Sequence, residues 1–293
     1  MLVFDLSGTD PNFGQVTLLT SFDGDFASSG TASIAWSIVG SATFEAQAPP
    51  SGGTQSIRCQ GTNDWVETAY DDGYDFGSGE FTIEGWARFV NASNTGNKDI
   101  CSLWTLSQGT RAWYVVQTSG GATGRLRFTF FDGVIDRTID YAIDSIIPSN
   151  TWVYFAIVRD VDTIRMWYDG IYIPGGPNFD MTGLSINPSS AAQVLKVGDR
   201  GIGGDDLNGW VHDLRITKGF ARYTGTANIT VPGAPLPASS EIFTVGDPAF
   251  DTQIDGLATT ITSPTVDIDG ALNVDGAATL NSDLTVLADI IIT

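Results

Sequence analysis

The sequence predicts an all-β protein, a sandwich of many short strands followed by a narrow β-repeat tail. Helical periodicity is almost absent along the 293 residues. Runs rich in Val, Ile, Phe, Tyr, Trp and Thr are instead punctuated at short intervals by Gly, Asp, Asn, Ser and Pro. Towards the C-terminus the rhythm changes to a six-residue repeat with small apolar residues at alternate positions.

Val16 to Phe22 reads as the first strand, ending at Asp23-Gly24. Phe81 to Phe89 alternates, with Phe81, Ile83, Ala87 and Phe89 on one face. Ala112 to Gln117 and Arg125 to Phe131 form a hairpin around Ser119-Gly120-Gly121. Trp152 to Arg159 and Thr163 to Tyr168 form another, and Asp169-Gly170 turns the chain into Ile171 to Ile173. The Asp-Gly pairs at 23–24, 132–133 and 169–170 predict type I′ turns, in which both central residues take positive φ. Many such strands without crossover helices make a sandwich. Pro232, Pro235 and Pro237 cannot continue a ladder and set its end. The expected organisation is an N-terminal arm at 1–14, a sandwich at 15–238, a linker at 239–264 and a tail at 265–293.

The tail reads as hexads from Thr265. Their second positions are Val266, Leu272, Ala278, Leu284 and Ile290, and their fourth Ile268, Val274, Leu280, Val286 and Ile292. The sixth is small: Gly270, Gly276, Ser282, Ala288. Such spacing suits a β-prism or β-helix. One copy of 29 residues is too small to bury its own apolar face. Three chains around one axis solve that problem, so the expected interface is Val266, Ile268, Leu272, Val274, Leu280, Leu284, Val286, Ile290 and Ile292 of a homotrimer.

With 34 acidic and 14 basic residues the formal charge is −20, a field that repels nucleic acid and anionic membrane. No stretch approaches the ~18 apolar residues of a membrane span. Cys59 and Cys101 both lie in apolar, strand-like contexts, which suit buried thiols or a disulfide. Aspartates gathered at turns suit a hard cation such as calcium.

Val16 to Pro237 resembles the laminin G-like branch of the concanavalin A-like lectin/glucanase fold, in particular copies found in bacteriophage structural proteins. The likeness rests on ordered blocks: Val16 to Gly24, Gly61 to Val66, Asp75 to Trp86, Trp152 to Val158 with Asp169-Gly170, and Leu207 to Tyr223. It departs at Cys59, at Val153-Tyr154 and through Ala27 to Pro50. The resemblance implies a jelly-roll sandwich and a structural calcium site joining Asp23 and Asp25 to Asp213. Met1 to Leu6 has no basic segment leading into a long apolar core, so no secretory signal is expected. A lectin-like fold without one suits a virion surface protein, made in the host cytoplasm and released by lysis. Only about fifteen residues precede the sandwich, which favours a capsid decoration protein over a tail fibre or receptor-binding adhesin. The expected partners are the chain itself, phage capsid or tail proteins and a host-surface glycan.

No catalytic set is expected. Glucan hydrolases of the wider fold use two glutamates flanking the glycosidic bond. Here Glu80 and Glu84 are the nearest match, roughly 13 Å apart along a strand, and read as surface carboxylates. Glu45 and Glu67 stand alone. His212, the single histidine, neighbours Asp213, and in a regular strand the two point to opposite faces. Gly198 to Gly204 opens no helix and reads as a loop rather than a phosphate cradle. A carbohydrate-active enzyme or its binding module is the alternative. The aromatic candidates for stacking on a sugar are Trp65, Tyr70, Tyr74, Trp104, Trp113, Trp167 and Trp210, with no single carbohydrate site assigned.

Overall fold

The structure, a computed structural model, describes residues 10, 12–32, 34–90, 96–105, 111–119, 124–142, 148–173, 179–187, 193–201 and 204–238. The nine trimer-interface residues expected from the hexads, the linker and most of the N-terminal arm lie outside these residues.

Two antiparallel sheets face each other. The larger contains β1 (Val16–Thr20), β2 (Ser28–Ser29), β4 (Thr43–Glu45), β5 (Ser56–Gln60), β7 (Phe81–Phe89), β12 (Trp152–Asp160), β13 (Thr163–Tyr168), β14 (Ile171–Tyr172), β15 (Phe179–Asp180) and β17 (Asn208–Lys218). The smaller contains β3 (Ser37–Val39), β6 (Trp65–Ala69), β8 (Lys98–Leu103), β9 (Trp113–Ser119), β10 (Gly124–Phe131), β11 (Asp136–Ala142) and β16 (Val194–Val197). Strands β7 and β17 form the middle of the larger sheet, with β12 beyond β7 and β1 beyond β17. This is the jelly-roll sandwich that the strand pattern predicts.

Alternation in β7 sends Phe81, Ile83, Ala87 and Phe89 into the core, as the sequence leads one to expect. Phe81 stacks on Phe76 at 4.2 Å and lies 5.8 Å from Phe128 of the opposing sheet. The other face of β7 is covered as well. Trp86, Tyr154, Ala156, Val158 and Trp167 form a second apolar layer under Ala221, Tyr223, Ile229 and Val231. The segment after β17 thus lies as a strap across the outside of the sheet, pinned where Trp167 Nε1 donates to the Ala227 carbonyl at 2.9 Å. Cys59 and Cys101 are buried, free thiols, which settles the two alternatives left by the sequence. Burial pushes the Cys59 thiol up to about 12.

The three Asp-Gly pairs behave differently. Asp169 and Gly170 have φ of 52° and 78°, the pattern a type I′ turn requires. At 23–24 and 132–133 only the glycines are positive, with φ of 82° and 92°. Those two aspartates instead spend their side chains on loop amides: Asp23 on Thr54 and Gln55, Asp132 on Val134 and Ile135.

Strand β17 changes neighbours halfway. Its first residues pair with β5 (Asn208 to Val211) and its later ones with β1 (Leu214 to Thr217). The change is made by a bulge between His212 and Arg215, where Asp213 takes φ of 48°. Opposite the bulge stands Gly85 of β7. A β-carbon there would lie 3.1 Å from the Asp213 carbonyl oxygen and 3.3 Å from Leu214 Cα, both backbone atoms that cannot swing aside. Replacing Gly85 with Ala is therefore expected to lower unfolding free energy by about 1–3 kcal/mol, read by urea denaturation; unchanged stability would refute the tight contact.

Candidate functional site

Glu84 does not lie on the surface, contrary to the expectation for an exposed strand residue; its exposure is 0%. The strap covers it, and a buried carboxylate persists only when paired and hydrogen-bonded. Arg215 Nε donates to Oε1 at 2.8 Å, and Tyr223 Oη donates to Oε2 at 2.7 Å. Tyr154 Oη donates to the same Oε2. Arg222 stands 3.5 Å from Oε1 and bridges on to Asp10 at 2.6 Å, while Arg215 also reaches Asp10 at 3.3 Å. Burial works to raise the Glu84 carboxyl, but Arg215 and Arg222 outweigh it and hold the group below its usual range. A carboxylate kept ionised and sealed from substrate cannot serve as a glycosidase acid. Glu80, its expected companion, accepts from the Ala221 amide at 3.4 Å.

His212 and Asp213 do not point to opposite faces. The bulge brings Asp213 Oδ2 to 3.3 Å from His212 Nδ1, and Ser51 Oγ donates to that oxygen at 2.6 Å. Regular alternation fails here because Asp213 is the extra residue that lets β17 switch partners. The serine bonds the carboxylate and not the imidazole, so His212 is not placed to activate it.

Asp23 joins the same cluster from the end of β1. A β-carbon on Gly53 would lie 3.0 Å from His212 Nε2 and 3.2 Å from Asp23 Cγ, so imidazole and carboxylate meet over that glycine. The Thr54 amide, helped by that of Gln55, holds the Asp23 carboxyl below its ordinary range. Asp25, third of the residues that the family likeness marks for calcium, spends Oδ1 on the Ala27 amide at 2.9 Å. A hard cation wants six or more oxygens. Here Asp23 Oδ1 and Asp213 Oδ2 already serve protein donors, and a buried imidazole shares their space. Among the described residues no three His, Cys, Asp or Glu are placed to hold a metal ion. This donor set does not fit a calcium cage.

Of the seven aromatic candidates, Trp113 and Tyr74 are core, joined where Trp113 Nε1 donates to the Tyr74 carbonyl at 3.0 Å. Trp167 lies beneath the strap, and Tyr70 Oη donates to Asp72 and Asp75. Trp65 carries the Lys196 ammonium 4.2 Å above its ring and donates to Glu67 Oε2 at 2.7 Å. Trp104 meets Tyr114 edge-on at 4.8 Å, with Arg111 over its ring at 5.4 Å. The cations near these rings are matched by carboxylates: Lys196 by Asp199 at 2.7 Å and Arg111 by Asp136 at 2.8 Å.

Trp210 is different. On the outer face of the larger sheet it stands directly between Arg58 of β5 and Arg88 of β7, and Trp152 of β12 lies directly beyond Arg88. The two guanidinium carbons lie 4.6 and 4.8 Å from the Trp210 ring centre. Its Nε1 donates to Glu45 Oε2 at 3.0 Å, Arg88 Nη1 donates to Gln47 Oε1, and Arg58 Nη2 to Asn208 Oδ1 at 2.8 Å. The row Arg58, Trp210, Arg88, Trp152 starts where the strap's apolar layer ends: Trp152 packs against that layer, and Trp210 is 8% exposed between the two arginines. It is the candidate binding surface, and among its members the sequence singled out only Trp210.

A profile of the concanavalin A-like lectin/glucanases superfamily matches residues 60–220. No curated protein sequence matches significantly. The binding domain of Paraclostridial Mosquitocidal Protein 1 superposes with a TM-score of 0.51 at 15% identity, over 71% of this chain and 50% of that one. The binding domain of Botulinum neurotoxin DC, solved in complex with rat synaptotagmin II, gives 0.51 at 17% identity over 71% and 49%. Domain 4 of AbnA, an extracellular arabinanase from Geobacillus stearothermophilus solved with arabinotriose, gives 0.50 at 14% identity over 71% and 94%. The chain thus spans about half the length of the toxin domains.

Removing the Glu84 charge leaves the buried Arg215 with Asp10 as its one remaining carboxylate among the described residues, so Glu84→Gln is expected to cost about 3 kcal/mol in denaturant unfolding at neutral pH. The lowered carboxyl means this stability is present above the unfolded value of about 4.3 and is lost as pH falls through the folded one. The gap between wild type and variant should therefore close in acid; a gap that widens there would refute the ion network.

Proposed function

Since the chain belongs to the concanavalin A-like lectin/glucanase superfamily, we propose that it is a non-catalytic glycan-binding protein on a bacteriophage virion. In this reading it is a homotrimeric capsid decoration protein, made in the host cytoplasm and displaying its sandwich outward. The observation that carries the binding role is the row of Arg58, Trp210, Arg88 and Trp152 on the outer face. Aromatic rings offer sugars an apolar platform, and guanidinium forks donate to their oxygens. The solved relatives point the same way: one is a toxin binding domain in complex with SialylT, another the arabinanase domain with arabinotriose. The non-catalytic role is supported by Glu84, which the two arginines and two tyrosines hold ionised and out of reach.

Assembly into trimers rests on the regular hexads from Thr265, whose apolar residues need neighbours of their own kind. His212 beside Asp23 and Asp213 at the bulge supports a fold that stands without calcium.

Three measurements test this reading. Light scattering of the intact chain should give three times the monomer mass, and the double variant Val274→Asp, Leu280→Asp should return one; a monomeric wild type refutes the trimer. Host envelope polysaccharide should be retained by the protein without release of reducing ends; sustained turnover refutes the non-catalytic role. The melting temperature should be the same in chelator and in millimolar calcium, whereas a rise with calcium would restore the metal site.

A further inference from the structure

The chain is strongly acidic, and it pairs its arginines accordingly. Ten of the eleven make an ion pair with a carboxylate within 4.0 Å among the described residues; the exception is Arg88. Its Nη1 donates to a neutral amide, Gln47, and its Nε is buried with no hydrogen-bond partner among the described residues. Trp152, directly opposite on β12, also has a buried Nε1 without a partner. Two orphan donors thus sit side by side on one face of one sheet. Buried donors rarely go unmatched, and together they ask for an acceptor.

What kind of acceptor follows from the surroundings. A guanidinium stacked on an indole spends its face on the ring and keeps its N–H edge for a carboxylate, the geometry in which the fork is strongest. Arg58, on the other side of Trp210, has its edge filled by Asn208 and the Gly209 carbonyl and stands 4.0 Å from Glu45. Arg88 is therefore the cation of the row that has no carboxylate beside it among the described residues. Four neighbouring strands span about 14 Å, enough for two or three sugar rings laid across them. Trp152 offers the next ring a half-exposed aromatic edge.

We propose that Arg88 is the anion-binding centre of a subsite for a carboxylate-bearing sugar, flanked by Trp210 and Trp152 and steadied by Gln47. This rests on the glycan-binding reading and narrows it to acidic saccharides. The chain's overall charge of −20 repels such ligands elsewhere, so the subsite also confines where they dock.

The test is calorimetric titration of the full chain with trisaccharides of galacturonate, of alginate and of sialic acid, each beside its carboxyl-reduced counterpart. At least one acidic form should bind about tenfold or more tightly than its reduced form, as expected for one charged hydrogen-bonded pair. Arg88→Gln should erase that preference, so that the acidic and reduced forms of the sugar bind alike. Arg88→Lys, which keeps the charge but loses the fork, should recover only part of it. Equal affinity for acidic and reduced forms overturns the subsite yet leaves glycan binding standing; binding to none of the six overturns both. An aspartate-rich peptide that binds as tightly as the acidic sugar overturns the assignment to a saccharide.

Discussion

Glu84 puts a charge where water cannot reach it, at the centre of the larger sheet, and the outer half of the sandwich is organised around keeping it there. An isolated carboxylate in that position would cost several kcal/mol. Arg215 from β17, Tyr154 from β12, and Arg222 and Tyr223 from the strap converge on its two oxygens. None of these can be withdrawn without stranding the others. Asp10 accepts the remaining reach of both arginines and ties the N-terminal approach to the same cluster. The strap's apolar residues cover the sheet, while its polar ones fix where it lies. The strap's layer reaches Trp152, and Arg88 stands directly beside it on β7.

The bulge in β17 plays a comparable part at the other polar cluster. By interrupting the ladder it lets one strand serve two neighbours, and it turns Asp213 back towards His212 and Ser51. Asp23 and Asp213, more than 180 residues apart, both stand beside His212 there. The surroundings supply an imidazole and satisfied oxygens in place of an open cage.

Much of the inner architecture was legible in the residues. Alternation in Phe81 to Phe89 named the core face of β7, and Asp169-Gly170 named the turn between β13 and β14, because both depend on neighbours in sequence. Glu84 was misread as exposed for the opposite reason. Alternation tells which residues share a face but not what lies over that face, and the strap that covers Glu84 begins more than 130 residues later. His212 and Asp213 were misread because a bulge is set by tertiary pairing. The row of Arg58, Trp210, Arg88 and Trp152 exists only once four strands are in register, so no local pattern marks it. The aspartates at 23 and 132 illustrate a milder case: side chains that bond loop amides can replace the backbone geometry the dipeptide suggests.

Phe13 and Val16, where the chain enters the sandwich, pack with Leu236, where the strap ends, so the chain arrives at and leaves this lobe through adjacent doors. Such a lobe behaves as a cassette: exchanging it for another of the same kind leaves the separation of the flanking segments as it was. Selection on a recognition face can then proceed by wholesale replacement of the head, and whatever the flanks attach to need not be rebuilt each time the target surface changes.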